Sequence, residues 1–399
     1  MMRMRFATLT TVAALTAPAL TVTALTAQSL AQDTVTIGSA IALSGFVAPY
    51  DEGPMYGALI AIDELNAAGG VLGRQIEWVS ADTASDPAQG ANAAIEVLGQ
   101  GAELVIVTCD FDFGAPAALV AQSQGVLTFS TCAADPKFGI QGIGDLAFTM
   151  ATATAGQGAL LAEWSYNEGG WRTVYVLEDT QVEYNRSLCG NFRTRWTELA
   201  GADSIVGDDT YNASTDTNIA AQVSEIAAAG DAEFLFFCGA INGGSYLRQI
   251  RAGGVDMPIV TGESMDGDYW LEAVPDMSDF YIAVYGSVFG DDPDPDVQAF
   301  FDTYEERYGR AVTAHSITGY SVVEAWARAV EEAGTFDAAA VRDVLETYTD
   351  EPMLIGPTTF TDELHITPAR EMLIMEIQDG EHASIGRFAP ESVPPITFE

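Results

Sequence analysis

Few residues in this chain carry catalytic chemistry, and those present do not stand at catalytic spacings. His315, His365 and His382 are the only histidines and form no pair at metal-ligand spacing. Cys109, Cys132, Cys189 and Cys238 match no zinc pattern, but in an oxidising compartment they allow two disulfides in any of three pairings. There is no Gly-x-Ser-x-Gly elbow and no phosphate loop ending in Gly-Lys-Ser/Thr. Lys137 is the sole lysine, so lysine chemistry has one candidate. What remains is binding chemistry, meaning carboxylates, hydroxyls and aromatic rings gathered in short loops. Neither an enzyme nor a bound cofactor is expected from this set.

Those loops follow buried runs. β-Branched stretches at 35–43, 75–80, 104–108 and 127–130 alternate with helical periods at 54–68, 86–99 and 116–124, which is the pattern of parallel βαβ units. Asp86 and Pro87 supply an N-cap and a first-turn proline, and Gly69 and Gly70 supply a helix stop. The pattern restarts with helices at 155–167, 185–199, 217–229 and 245–252 and strands at 173–177, 233–237 and 258–261. Two α/β units are therefore expected, each a doubly wound parallel sheet. Cys109 and Cys132 each follow a strand of the first unit on either side of one helix. Such strands are commonly neighbours, so these two are expected to pair, leaving Cys189 to Cys238.

The chain begins with Arg3 and Arg5, continues through an apolar stretch from residue 6 to about 27, and reaches Ser29-Leu30-Ala31. This reads as a secretory leader, 1–31, cleaved near Ala31. No cysteine stands near that point to carry a lipid. The formal net charge is −41, from 57 acidic and 16 basic residues, a balance that repels nucleic acid and anionic membranes. The acids are scattered and 48% of residues are hydrophobic, so the chain is globular with a solvated acidic surface.

The sequence resembles the type I periplasmic solute-binding proteins of the branched-chain amino acid family of ABC importers. The resemblance runs from Ile37-Gly38 through Leu43-Ser44-Gly45 and Tyr56-Gly57-Ala58, and is densest from Asp63 to Arg74. Asp82, Asp86-Pro87, Gly356-Pro357, Phe360-Thr361 and a strand at 373–378 also fit. It implies two lobes joined by a three-strand hinge, with 32–150 and 279–353 in lobe 1 and 151–278 and 354–399 in lobe 2. It further implies a monomeric periplasmic receptor that closes on a small-molecule ligand and delivers it to a membrane permease. The same closure could instead regulate a partner protein as a sensing subunit.

In open parallel sheets ligands sit beyond the carboxyl ends of the strands. That directs attention to Ser44 and Tyr50, then Asp110 and Phe111, then Cys132, Ala133 and Ala134. From the second lobe the resemblance implies Tyr184 as an aromatic contact and Glu263 as an acidic one, with Asp266 as an alternative. Where the family offers hydroxyls, this chain places Asp110 and Ala134. Asp110 is then either a ligand-reading carboxylate or the N-cap of the next helix. Rings at Tyr50, Phe111, Tyr184 and Trp270, with two carboxylates, favour an amine-bearing or aromatic ligand.

Overall fold

The computed structural model describes residues 34–240 and 242–398. The expected leader, 1–31, lies outside them. The first sheet contains β1 (Thr34–Ile41), β2 (Gln75–Asp82), β3 (Ala102–Val107), β4 (Leu127–Ser130) and β5 (Ala147–Thr149), in the order β2-β1-β3-β4-β5. All its pairings are parallel. Helices α1 (Ala48–Ala68), α2 (Pro87–Gly99) and α3 (Phe111–Ser123) connect these strands. Asp86 caps α2 through the Ala88 N–H, as its position before Pro87 leads one to expect.

The second sheet is larger. Helices α4 (Thr154–Asn167), α5 (Glu183–Ala200), α6 (Ala220–Ala228) and α7 (Gly243–Ala252) alternate with its first strands. These are β6 (Val174–Asp179), β7 (Ile205–Tyr211), β8 (Phe234–Cys238) and β9 (Ile259–Thr261), followed by β10 (Phe280–Val284). The hairpin β11 (Met372–Gln378) and β12 (Glu381–Phe388) completes the order β12-β11-β10-β9-β8-β6-β7. The pairings β10/β11 and β11/β12 are antiparallel, so this lobe is mixed rather than wholly parallel. Strand β10 pairs with β9 and β11, whereas a division at 278/279 would leave it in lobe 1. The crossing between lobes therefore falls after Val284.

The remaining helices, α8 (Pro295–Tyr308), α9 (Ser316–Ala333) and α10 (Ala338–Leu345), return to the first lobe. Helix α9 lies so close to α1 that a Cβ on Gly57 would come within 1.9 Å of the Ser316 carbonyl oxygen, and one on Gly319 within 1.9 Å of that of Pro54. Glycine is required at both positions.

The crossing segments are tied together by Arg370, a buried side chain. It donates to the carbonyls of Met150 and Pro357 and to the hydroxyls of Thr152, Thr358 and Thr367. The Thr152 N–H donates to the Tyr285 hydroxyl at 3.0 Å, linking the first crossing to the one after β10. Both expected disulfides are present. Cys109–Cys132 joins the ends of β3 and β4 with Cα atoms 4.7 Å apart, and Cys189–Cys238 joins α5 to β8 at 6.0 Å. No helix among the described residues is long and apolar enough to cross a membrane.

Candidate functional site

The strand ends of both sheets converge on a cavity of about 60 Å³. From the first lobe it is lined by Phe46, Val47, Tyr50, Cys109, Asp110, Phe113, Cys132, Ala134 and His315. The second lobe supplies Gln181, Val182, Tyr184, Ala240, Asn242, Glu263 and Ser264. A cavity needs roughly 10–15 Å³ to hold one water, so this one suits a small solute.

Asp51, on α1, organises the first-lobe wall. It is 1% exposed, and its carboxylate accepts the N–H of Ala42 at 2.6 Å and that of Cys109 at 2.7 Å. It thereby joins the ends of β1 and β3. Burial pushes its pKa up to about 7 against these hydrogen bonds. Cys109 is pinned a second time by its disulfide, and the next residue is Asp110 with φ 129°, a backbone that non-glycine residues rarely adopt. Such strain persists only where the surroundings over-determine it. Asp110 Oδ1 accepts the Asp112 N–H at 2.8 Å, so the helix-capping expectation is realised, and the same side chain lines the cavity. Burial, with Asp112 beside it, raises its pKa to about 8.

On the opposite wall, Tyr184 at the start of α5 donates to Gln157 Oε1 at 3.0 Å, and Gln157 Nε2 donates to Glu263 Oε1 at 3.0 Å. Glu263 Oε2 is buried without a hydrogen bond of normal geometry. Burial lifts this carboxyl to about 8, opposed by Tyr285 and Gln157. His315 precedes α9 and sits 3.9 Å from Glu263 Oε2 and 3.7 Å from Asp266 Oδ2, both too long for hydrogen bonds. Burial holds its pKa down to about 4, so it is neutral at pH 7.

The lobes meet around the cavity. The Tyr50 hydroxyl donates to the Ser264 carbonyl and lies 3.0 Å from that of Tyr269. Lys137 pairs with Glu183 at 2.8 Å, and the Glu183 N–H donates to Asp112 Oδ2 at 2.8 Å. The conformation is a closed one.

Of the positions expected from sequence, the cavity brings together Tyr50, Asp110, Cys132, Ala134, Tyr184 and Glu263. Three others fall outside its lining. Ser44 turns to Asp82, which takes both its N–H and its hydroxyl. Phe111 packs into the helix-side core of the first sheet, and Ala133 is buried in that same core. Since α3 begins at Phe111 rather than near 116, it is Phe113, two residues on, that faces the cavity. Trp270 is also outside, packed on Phe280 with its indole N–H given to the Met265 carbonyl. Asp266 instead accepts the Ala314 N–H at 2.6 Å. Phe46, Val47, Gln181 and Val182 follow β1 and β6 and were accessible to the strand-end argument. His315 was not, because it arrives through the packing of α9 on α1.

A family model described as periplasmic binding protein matches residues 34–381. A protein of Pseudomonas aeruginosa named as a leucine-, isoleucine-, valine-, threonine- and alanine-binding protein is 28% identical over 81% of this chain and 85% of its own length. The solved substrate-binding protein LivJ of a Streptococcus pneumoniae branched-chain amino acid transporter, in complex with isoleucine, superposes with a TM-score of 0.78. The identity is 26%, over 90% of this chain and all of that one. A solute-binding protein of an R. palustris ABC transporter, in complex with benzoate, shares the fold with a TM-score of 0.75 at 17% identity, covering 91% of this chain and 98% of that one. Two α/β lobes closed over a small cavity and a family match running almost from end to end of the described residues agree, and the chain belongs to the periplasmic binding protein family.

Proposed function

We propose that this protein is the solute receptor of an ABC importer. It closes over a small amino-acid-like, amine-bearing or aromatic solute and presents the closed form to a membrane permease. In this reading the leader is removed near Ala31 and the receptor works in the periplasm as a monomer. Residues 34–150 and 285–353 form one lobe, and 151–284 with 354–398 form the other. Tyr50, Asp110, Cys132, Ala134, Tyr184 and Glu263 contact the solute, joined by Phe113 and His315.

The observation that carries the reading is the cavity wall, to which both lobes contribute, so that only closure completes it. A solute binding both halves stabilises the closed state by its differential affinity for it. The name of the Pseudomonas relative supports an amino-acid-like solute. Native mass spectrometry of the purified protein identifies what it carries, and small-angle scattering with and without that solute tests the motion. We expect the radius of gyration to fall on binding and thermal stability to rise by about 2.7 kcal/mol at a hundred times Kd. An unchanged radius at saturation would remove the hinged receptor.

A further inference from the structure

Resting on the receptor reading, we infer that Gln157 is a positioning residue. It fixes two groups of the second-lobe cavity wall, Tyr184 and Glu263, to the first crossing at Thr152, so that this half of the site is formed before the lobes close.

Gln157 lies in the first turn of α4, is 0% exposed, and stands behind the residues that line the cavity. Its amide makes three hydrogen bonds. Nε2 donates to the Thr152 carbonyl at 2.8 Å and to Glu263 Oε1 at 3.0 Å, and Oε1 accepts the Tyr184 hydroxyl at 3.0 Å. The partners dictate which way the amide faces. The Thr152 carbonyl can only accept, so it must meet the NH2 group, and a flipped amide would set oxygen against oxygen there.

Thr152 is itself a firm anchor. Its N–H donates to the Tyr285 hydroxyl at 3.0 Å, its own hydroxyl takes an Arg370 N–H at 3.4 Å, and it bridges to Thr367. Gln157 therefore does for the second lobe what Asp51 does for the first, joining a cavity wall to the framework from one step behind it.

An apolar side chain of the same length would fill this interior position without needing partners. What the amide adds is direction. With Oε1 held, the Glu263 carboxyl is kept in one orientation, and Oε2 is its oxygen without a partner. Burial lifts this carboxyl to about 8, and the Gln157 hydrogen bond works against that rise. Thr152, Gln157, Tyr184 and Glu263 all fall within 151–284, a single lobe in the receptor reading. None of the three hydrogen bonds spans the lobes, so parting the lobes leaves them whole. A wall ordered in advance loses less freedom when the solute arrives.

Carbon-13 NMR of the solute-free protein tests the inference, with Glu263→Gln used to assign the Glu263 signal. In Gln157→Met the donor that favours the ionised form is gone, so the Glu263 midpoint should rise by about one pH unit and the Tyr184 Cζ resonance should move. Gln157→Glu keeps an oxygen for Tyr184 but sets two carboxyls side by side. Glu263 should then titrate in two steps shared with the introduced group, while Tyr184 stays near its parent position. Asn191→Ala cuts a different tie between α5 and the start of α4, from Asn191 Nδ2 to Thr154 Oγ1 at 3.4 Å, and should leave the Glu263 midpoint unchanged. In the unsubstituted protein, where folding is not in question, the Gln157 side-chain N–H resonances should follow the Glu263 midpoint. An unmoved midpoint in Gln157→Met, an equal movement in Asn191→Ala, or Gln157 resonances that stay flat through the Glu263 titration would each overturn the inference. The receptor reading is judged separately, by contraction in scattering, and its outcome does not depend on this titration.

Discussion

At the scale of single residues, the two carboxyls that face the cavity are protonated when it is empty at neutral pH. Asp110 is raised to about 8 by burial and by Asp112, with Asp135 adding to it and the helix N–H groups opposing. Glu263 is raised to about 8 by burial and by Asp266, against Tyr285, Gln157 and the Arg370 charge behind it. A protonated amine on the solute would bind the ionised forms, so with an amine-bearing solute each carboxyl must release its proton on binding. Affinity for a simple alkylamine, which keeps its charge to well above this range, should therefore rise as pH goes from 6 to 8 and level off above. The slope is bounded at about tenfold per pH unit for each carboxyl. Titration calorimetry in buffers of different ionisation heat reads both the slope and the released protons, and affinity that falls with rising pH would contradict it. The linkage has the opposite sign for the empty protein. Folded-state pKa values above the unfolded ones contribute stability present in acid and lost as pH climbs through about 8. Asp110 was legible from its strand-end position, and Glu263 only through the family resemblance, which left Asp266 as an alternative. The double role of Asp110 was not, since capping and cavity-facing geometry depend on how Cys109 and Asp51 hold the preceding backbone.

At the scale of elements, β1–β4, β6, β8, β9 and β11 and helices α1–α7 could be read from apolar runs and caps, as with α2, whose limits follow from Asp86-Pro87 and Gly99, while β5, β10, β12 and α8–α10 were not. Two helix starts could not. Pro54 and Pro116 look like first-turn residues, yet each lies inside its helix. The extra turn of α1 is held from outside by the Asp51 contacts, a tertiary tie invisible to local pattern. Phe111 follows a strand end, but because α3 already begins there, it is Phe113 that lines the cavity. Strand β7 was missed for another reason. It is an exposed edge whose Asp208 and Asp209 suit an unpaired rim and look like a loop. The disulfides offer a test at this scale. With their cysteines 23 and 49 positions apart in sequence, chain-entropy arguments give about 3–4 kcal/mol of stability for each. Paired Cys→Ser changes at either bridge should lower the midpoint of chemical denaturation comparably. Only the Cys109/Cys132 pair should also weaken solute binding, because only that bridge forms part of the cavity wall. Equal affinity in both double variants would show that the bridge does not position Asp110.

At the scale of the whole molecule, two lobes and their order along the chain followed from the repeated α/β pattern, but the way they are joined did not. The sheet that receives β10 is set by pairing with β9 and β11, and nothing in the sequence before Phe280 announces a partner more than ninety residues downstream. The crossings are gathered by a single guanidinium, Arg370, whose pKa burial lowers to about 10 while it remains charged at neutral pH. The lobes also touch where Tyr50 reaches Ser264 and Lys137 reaches Glu183.

The last of these contacts turns the protein into its own chemical reporter. Lys137 is the only lysine in the chain, and in the closed form its hydrogen bond to Glu183 raises its pKa and holds the nitrogen protonated. An acylating reagent attacks only the free amine, so its rate at Lys137 measures how long the lobes stay apart. Saturating solute should slow that acylation severalfold while the terminal α-amine reacts as before, and peptide mapping separates the two. An unaltered rate at Lys137 would mean that the Glu183 contact survives in the solute-free state. The scarcity of lysine on so acidic a surface thus leaves one side-chain amine, located where the lobes meet.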